Sequence, residues 1–140
     1  MSRVKIDLPK HKLYNTTLKL RVSDINYGGH LGNDTVVSLI HEARFRMFNT
    51  WGYKNDLEIE GFGTIQLDTA VQYKGEGFHG DEIEVGIFAG EIGSRTFDLF
   101  YELTCGEKLV ALAKTGLGIF DYNSRKLVSL PEKFLHQLKS

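Results

Sequence analysis

The sequence predicts an α+β fold in which one long apolar helix is wrapped by an antiparallel sheet of about five strands. Three observations carry this expectation. Residues 33–50 place apolar side chains at helical spacing over an unusually wide face. Four strand-like runs follow it, joined only by turns of hairpin length. A period-two alternation precedes it. The chain has 140 residues, enough for one domain with a sizeable core, and shows no internal repeat, low-complexity tract or second-domain linker.

The first element is a half-buried strand read from Leu13 to Ile25, because Leu18, Leu20 and Val22 alternate with Thr17, Lys19 and Arg21. A polar turn, SDINYGGHLGND, follows at residues 23–34. The helix is expected over Asn33 to Thr50. Val36, Ile40, Ala43 and Met47 form its stripe, and Val37, Leu39, Phe48 and Trp51 widen it beyond what a surface helix needs. Gly52 is the expected terminator. Strands are then read at Thr64–Tyr73, Glu82–Ala89, Thr96–Thr104 and Leu109–Phe120, separated by the turns KGEGFHGD, GEIGS and CGEK. Pro131 opens a short C-terminal helix, PEKFLHQLKS. The only large apolar object available to cover one face of the sheet is the helix over residues 33–50.

Composition narrows the function. Lys plus Arg number 17 against 18 Asp plus Glu, so no charge excess points to nucleic acid or an anionic membrane surface. No apolar run approaches the roughly 18 residues of a membrane span. The first residues, MSRVKIDLPKHK, lack the apolar core of a secretory signal, and Cys105 stands alone; both fit a reducing, cytoplasmic location. Without a secretion signal the sequons at Asn15 and Asn33 are not read as glycan acceptors.

Three motif matches fail on context. Gly75, Gly77 and Gly80 satisfy G-x-G-x-x-G, but a strand follows where a dinucleotide site needs a helix. His41-Glu42 begins a zinc-protease helix signature, yet Phe45 stands where the second histidine must be, so no metal is expected. Cys105 lies at a strand end with no basic neighbour in sequence and reads as a small hydrophobe.

The turn at 23–34 is the stretch that keeps a chemical reading. The start of a buried helix offers N–H groups without intrahelical partners and the positive end of the macrodipole, a place where a carbonyl oxygen can become negative. Gly28, Gly29 and Gly32 let the backbone approach a ligand, Asn33 or Asp34 can cap the helix, and Asp24, Asn26 and His30 supply an acid, an amide and a base. Glu42 lies about two turns into the helix. On these residues alone, a helix-capping loop and an active-site mouth both stand.

RVSDINYGGHLGNDTVVSLIHEARFRMF resembles the 4-hydroxybenzoyl-CoA thioesterase-like branch of the hot-dog superfamily. Those proteins carry a strand ending in Asp-x-Asp, then Gly-His-x-x-Asn, then a helix ending in Glu-Ala-Arg. Asp24, Gly29, His30, Asn33, Glu42, Ala43 and Arg44 fall at the matching places. QYKGEGFHGDEIEV is similar to the family's hairpin, and LVALAKTGLGIFDYNSRKLVSLPEKF to its closing strand, Asp-containing turn and Leu-Pro-Glu segment. The resemblance covers nearly the whole chain. It implies a hot-dog fold and hydrolysis of an acyl-CoA or acyl-carrier-protein thioester, with no cofactor, in a homodimer or a tetramer with composite sites.

One departure matters. The family's catalytic aspartate usually lies four residues before the histidine, where this chain has Asn26. Asparagine cannot act as nucleophile or general base, though it can orient water or donate to an oxyanion. The resemblance then leaves Glu42, favoured because other hot-dog enzymes place an acid on this helix, and Asp24 as candidate bases. Asn26 and His30 would position water or the carbonyl, and Gly32, Asn33 and Asp34 would supply the oxyanion donors. Gln66 and Asp68 would face the partner's turn. A hot-dog protein that binds acyl thioesters with little or no hydrolysis is the alternative. A dehydratase is a weaker third reading, because its helix-borne pattern is missing.

Overall fold

The computed structural model describes residues 2–140. Its order is β1 (Lys12–Lys19), a single 3-10 turn (Val22–Asp24), α1 (Thr35–Thr50), β2 (Gly63–Tyr73), β3 (Glu82–Ile92), β4 (Thr96–Cys105), β5 (Lys108–Asp121), β6 (Lys126–Leu127) and α2 (Glu132–Lys139). All pairings are antiparallel, in the order β1-β3-β4-β5-β2, with the short β6 added to β5. This is the expected sheet around one long helix, the hot-dog arrangement.

The helix forms where its stripe lies. Val36, Ile40, Ala43, Met47 and Phe48 are all buried, in one core cluster with Ile83, Val85, Ile87, Leu99 and Leu103 of the sheet. Val37, expected to widen the stripe, is instead 38% exposed on the flank. Gly52 ends the helix as predicted, with φ of 97° and its N–H donating to Asn49 O at 3.0 Å. α2 is too short to stand alone. It is held by Phe134, which is fully buried among Phe48, Trp51, Tyr53 and Phe97 with ring centroids 5.2–6.1 Å away.

Two sequence expectations need correction. The first strand stops at Lys19, not Ile25. Its register with β3 runs out at Lys19–Glu82, and the chain turns at Val22–Asp24, where Val22 is 76% exposed. Asp24 drives that turn. Its Oδ2 accepts the Arg21 backbone N–H at 2.8 Å, and the Asp24 N–H donates to Arg21 O at 2.9 Å. The helix itself begins at Thr35 rather than Asn33, with Asp34 as the cap residue. Strands β3, β4 and β5 each run slightly longer than their hydrophobic patterns suggest.

β2 is an edge strand. It pairs with β5 on one side and leaves the other side open, with Gln66, Leu67, Asp68 and Thr69 all exposed. A bulge between Gln66 and Asp68 leaves Leu67 without a partner on β5 and half exposed.

Candidate active site

The turn between β1 and α1 is built as a small closed loop. Ile25 bridges Leu31, the Asn26 N–H donates to His30 O at 3.0 Å, and the Gly29 N–H donates to Asn26 O at 3.0 Å. Gly29 sits at φ of 88°, a conformation that side chains rarely adopt. The loop is fixed from outside at two points. The Leu31 N–H donates to Gly77 O at 2.7 Å, and the Tyr73 hydroxyl donates to Asn33 O at 3.0 Å. The glycines that mimic a nucleotide fingerprint therefore serve a hairpin, as the strand after them required.

This folding brings three of the expected side chains together over two glycines. A Cβ placed on Gly28 would stand 3.1 Å from Asn26 Oδ1 and 3.5 Å from His30 Nε2. A Cβ on Gly32 would stand 2.9 Å from Asp34 Oδ1 and 3.9 Å from Asn26 Cβ. Asn26 thus lies between His30 on one side and Asp34 on the other. Its Oδ1 accepts the Gly28 N–H at 2.8 Å, which leaves its amide NH₂ pointing away as a donor. His30 Nδ1 lies 3.4 Å from Leu31 O, a long contact, and Nε2 faces Gly28.

At the start of α1 the Thr35 N–H donates to Gly32 O and the Val37 N–H to Asp34 O. The N–H groups of Asn33 and Asp34 meet no acceptor among the described residues. Asn33 and Asp34 are exposed, and the Asp34 carboxylate caps nothing. A small cavity of about 160 Å³ opens beside His30, walled by Leu31, Val36, Tyr73 and Val110 and bordered by Glu76.

The two carboxylates expected as bases occupy a neighbouring cleft of about 380 Å³, with Leu18, Ser38, Leu39 and Arg46. Asp24 is 5% exposed, and Oδ2 is engaged by the Arg21 backbone and, at 3.4 Å, by its guanidinium. Glu42 points outward and is paired with Arg46 at 2.8 Å, one helical turn on. Arg46 in turn donates to Thr16 Oγ1 and Thr17 O, tying the helix to β1. Gln66 and Asp68 are engaged within their own subunit. Gln66 bonds Arg44 and Thr69, while Asp68 takes Lys114 Nζ at 2.7 Å and the Gly116 N–H at 2.9 Å. The hydrogen bond and charge of Lys114 hold the Asp68 carboxyl below the usual carboxylate range.

Two features had little or no warning in the sequence. His41 Nε2 lies 3.0 Å from Asp56 Oδ2, a residue of the α1–β2 loop that no motif links to it. Arg44 is 4% exposed, and its guanidinium meets only neutral acceptors, Tyr101 Oη at 3.1 Å and Gln66 Oε1 at 3.3 Å. Its Nε has no partner among the described residues. The signal for Arg44 was its spacing, one turn from Ile40 and one from Met47 on the buried stripe.

No helix among the described residues is long and apolar enough to cross a membrane. A comparison with curated proteins found no match. Among solved structures, the chain is similar to a hypothetical protein from Aquifex aeolicus, with a TM-score of 0.82 and 22% identity over 89% of this chain and 98% of that one. It is similar to a 1,4-dihydroxy-2-naphthoyl-CoA thioesterase from Synechocystis, with a TM-score of 0.76 and 17% identity over 91% and 96%. It is also similar to a hypothetical protein from Staphylococcus aureus in complex with CoA, with a TM-score of 0.83 and 17% identity over 96% and 86%. At these identities the likeness is one of fold. The thioesterase-like superfamily matches residues 20–138 directly, from the end of β1 through α2 and across the whole turn, and the chain belongs to that family.

Proposed function

We propose that the protein hydrolyses an acyl-CoA thioester, or one carried on an acyl-carrier protein, at the turn between β1 and α1. One observation carries the reading. The N–H groups of Asn33 and Asp34 are unpartnered at the start of a sixteen-residue helix, in the same closed turn as Asn26 and His30. Donors fixed before reaction stabilise a developing oxyanion more than mobile water does, because they need not reorganise. The carbonyl oxygen is received there. The Asn26 NH₂ and His30 orient water or carbonyl, and Gly32 leaves the approach open. The cavity beside His30 takes the start of the acyl group. The carboxylates at hand are Asp24, Asp34 and Glu42, of which Asp24 is already committed to the Arg21 turn. No metal or redox group is required by this chemistry.

The working form we propose is a cytoplasmic homodimer or a dimer of dimers, closed through β2. An open edge strand with an exposed leucine is otherwise a site of uncontrolled pairing. Sedimentation at micromolar concentration gives a dimer or larger; a monomer there would overturn this. The activity is tested by release of free thiol from a panel of acyl-CoAs of increasing length, including aromatic members, followed with a thiol-reactive dye. Silence across the panel with purified, folded protein removes the hydrolase reading. Asn26 supports the second reading, a binder without hydrolysis, and acyl-CoA binding with no thiol release would establish it.

A further inference from the structure

We propose that Asp34 supplies the carboxylate of the reaction, in place of the aspartate missing at position 26. This rests on the hydrolase reading above. Asp24 is buried and its carboxylate holds the Arg21 turn, and Glu42 faces outward in an ion pair with Arg46. Asp34 differs from both. Its side chain makes no hydrogen bond, not even the capping bond its position invites, and it is exposed beside the two free N–H groups. Asp34 Oδ1 and Asn26 Cβ converge on the same point, the place where a Gly32 side chain would be. The Asp34 carboxylate thus stands over Gly32 next to the stem of Asn26, while the Asn26 carboxamide oxygen is turned to the Gly28 N–H. The absence of a side chain at Gly32 leaves that space to the Asp34 carboxylate.

The chemistry balances without a further reactant. Asp34 takes a proton from water as the water oxygen bonds to the thioester carbon, and the carbonyl electrons move onto its oxygen. The intermediate collapses, the C–O double bond re-forms, and the C–S bond breaks. The departing thiolate takes the proton back from Asp34. One acid and one thiol leave, and Asp34 is again a carboxylate. Charge at the helix start stays constant through the first step, because Asp34 becomes neutral as the oxyanion forms. The positive end of the helix therefore faces one negative charge before and after it.

The test uses the full chain and the best acyl-CoA of the panel. Asp34→Asn keeps an equally good cap residue, so the fold survives. It is expected to lower kcat on the order of 10²–10⁴-fold with little change in KM, since the base acts in the transition state. The acid limb of the wild-type rate–pH profile disappears from its residual activity. Glu132→Gln, on α2 away from the turn, stays within threefold of wild type. The double variant Asn26→Asp, Asp34→Asn recovers at least tenfold over Asp34→Asn, a readout that a merely structural Asp34 would not give. The proposal is overturned if Asp34→Asn keeps a third or more of the wild-type rate, if Glu42→Gln or Glu76→Gln takes the large loss instead, or if the double variant recovers nothing. A wild type that cleaves no member of the panel defeats the hydrolase reading itself, before any variant is compared.

Discussion

Phe134→Ala probes how α1 is held at the end remote from the turn. Phe134 is fully buried, and its ring meets Phe48, Trp51 and Phe97 at interplanar angles of 64°, 77° and 65°, the edge-on geometry that aromatic rings prefer. Truncation to Ala loses the transfer energy of the ring and leaves a cavity, together about 3–5 kcal/mol, with a further fraction of a kcal/mol for each edge contact. We expect about 4 kcal/mol, against a total of about 5–15 kcal/mol for a domain of this kind. At this chain length that corresponds to a fall in Tm of about 10–20 °C. Urea unfolding followed by fluorescence reads it directly, because Trp51 is the chain's one tryptophan and its ring lies 5.9 Å from Phe134. Emission should shift to the red in the folded baseline as α2 loosens and water reaches Trp51. A loss below about 1.5 kcal/mol with unchanged emission would show that α2 does not brace α1, and the reasoning would fall.

Gly32→Ala puts a methyl 2.9 Å from Asp34 Oδ1 and 3.1 Å from Thr35 Oγ1, both ends of side chains that can yield. Thiol release should drop at least tenfold while Tm changes by only a few degrees, about 1 kcal/mol or less of stability; an active variant would separate Asp34 from the chemistry. Arg44→Met removes a buried charge that meets only neutral acceptors, while Tyr101 keeps its bond to Thr115 at 2.7 Å. Urea unfolding should show it neutral or stabilised by about 1 kcal/mol, and a cost above 2 kcal/mol would mean that an anion outside this chain completes Arg44. The Asp68–Lys114 pair sets a pH window. Asp68 is depressed from 3.8 by the Lys114 hydrogen bond, so its contribution is present above that pH and lost as pH falls through the lower folded value. For Lys114, burial pulling the pKa down is outweighed by Asp68 and Asp98, which raise it above 10.5; its contribution is present below that pH and lost as pH rises further. Lys114→Met should therefore cost stability at pH 7 and little at pH 2–3; an equal cost at both would refute the linkage.

The helix and hairpins were legible because each rests on a local pattern. Ala43 and Met47 are buried for the same reason that they share a stripe, and KGEGFHGD, GEIGS and CGEK turn because each is too short to do anything else. The end of β1 was not legible. Leu20 and Val22 continue the alternation, but β3 offers no register partner beyond Glu82, and Asp24 bends the backbone with its own side chain. The turn stood out as a candidate site from its residue types, yet the relation among its members did not. That Asp34 reaches over Gly32 toward Asn26 depends on a loop closed by Leu31 and Gly77 from separate parts of the chain. His41 and Asp56 likewise meet only after α1 and the following loop are both in place.

The strand order also dictates when the molecule can fold as it is made. β2 finds its neighbour only in β5, with Gln66 opposite Leu117, so the earlier strand leaves the ribosome long before its partner. β1 waits in the same way for β3. Meanwhile the apolar face of α1, which the finished core buries, has no sheet to lie on. The nascent chain therefore carries an unshielded greasy helix through most of its synthesis, and its assembly is delayed until β5 emerges and closes the long loops together. Chaperone demand in the cell should follow from that schedule more than from the stability of the finished protein.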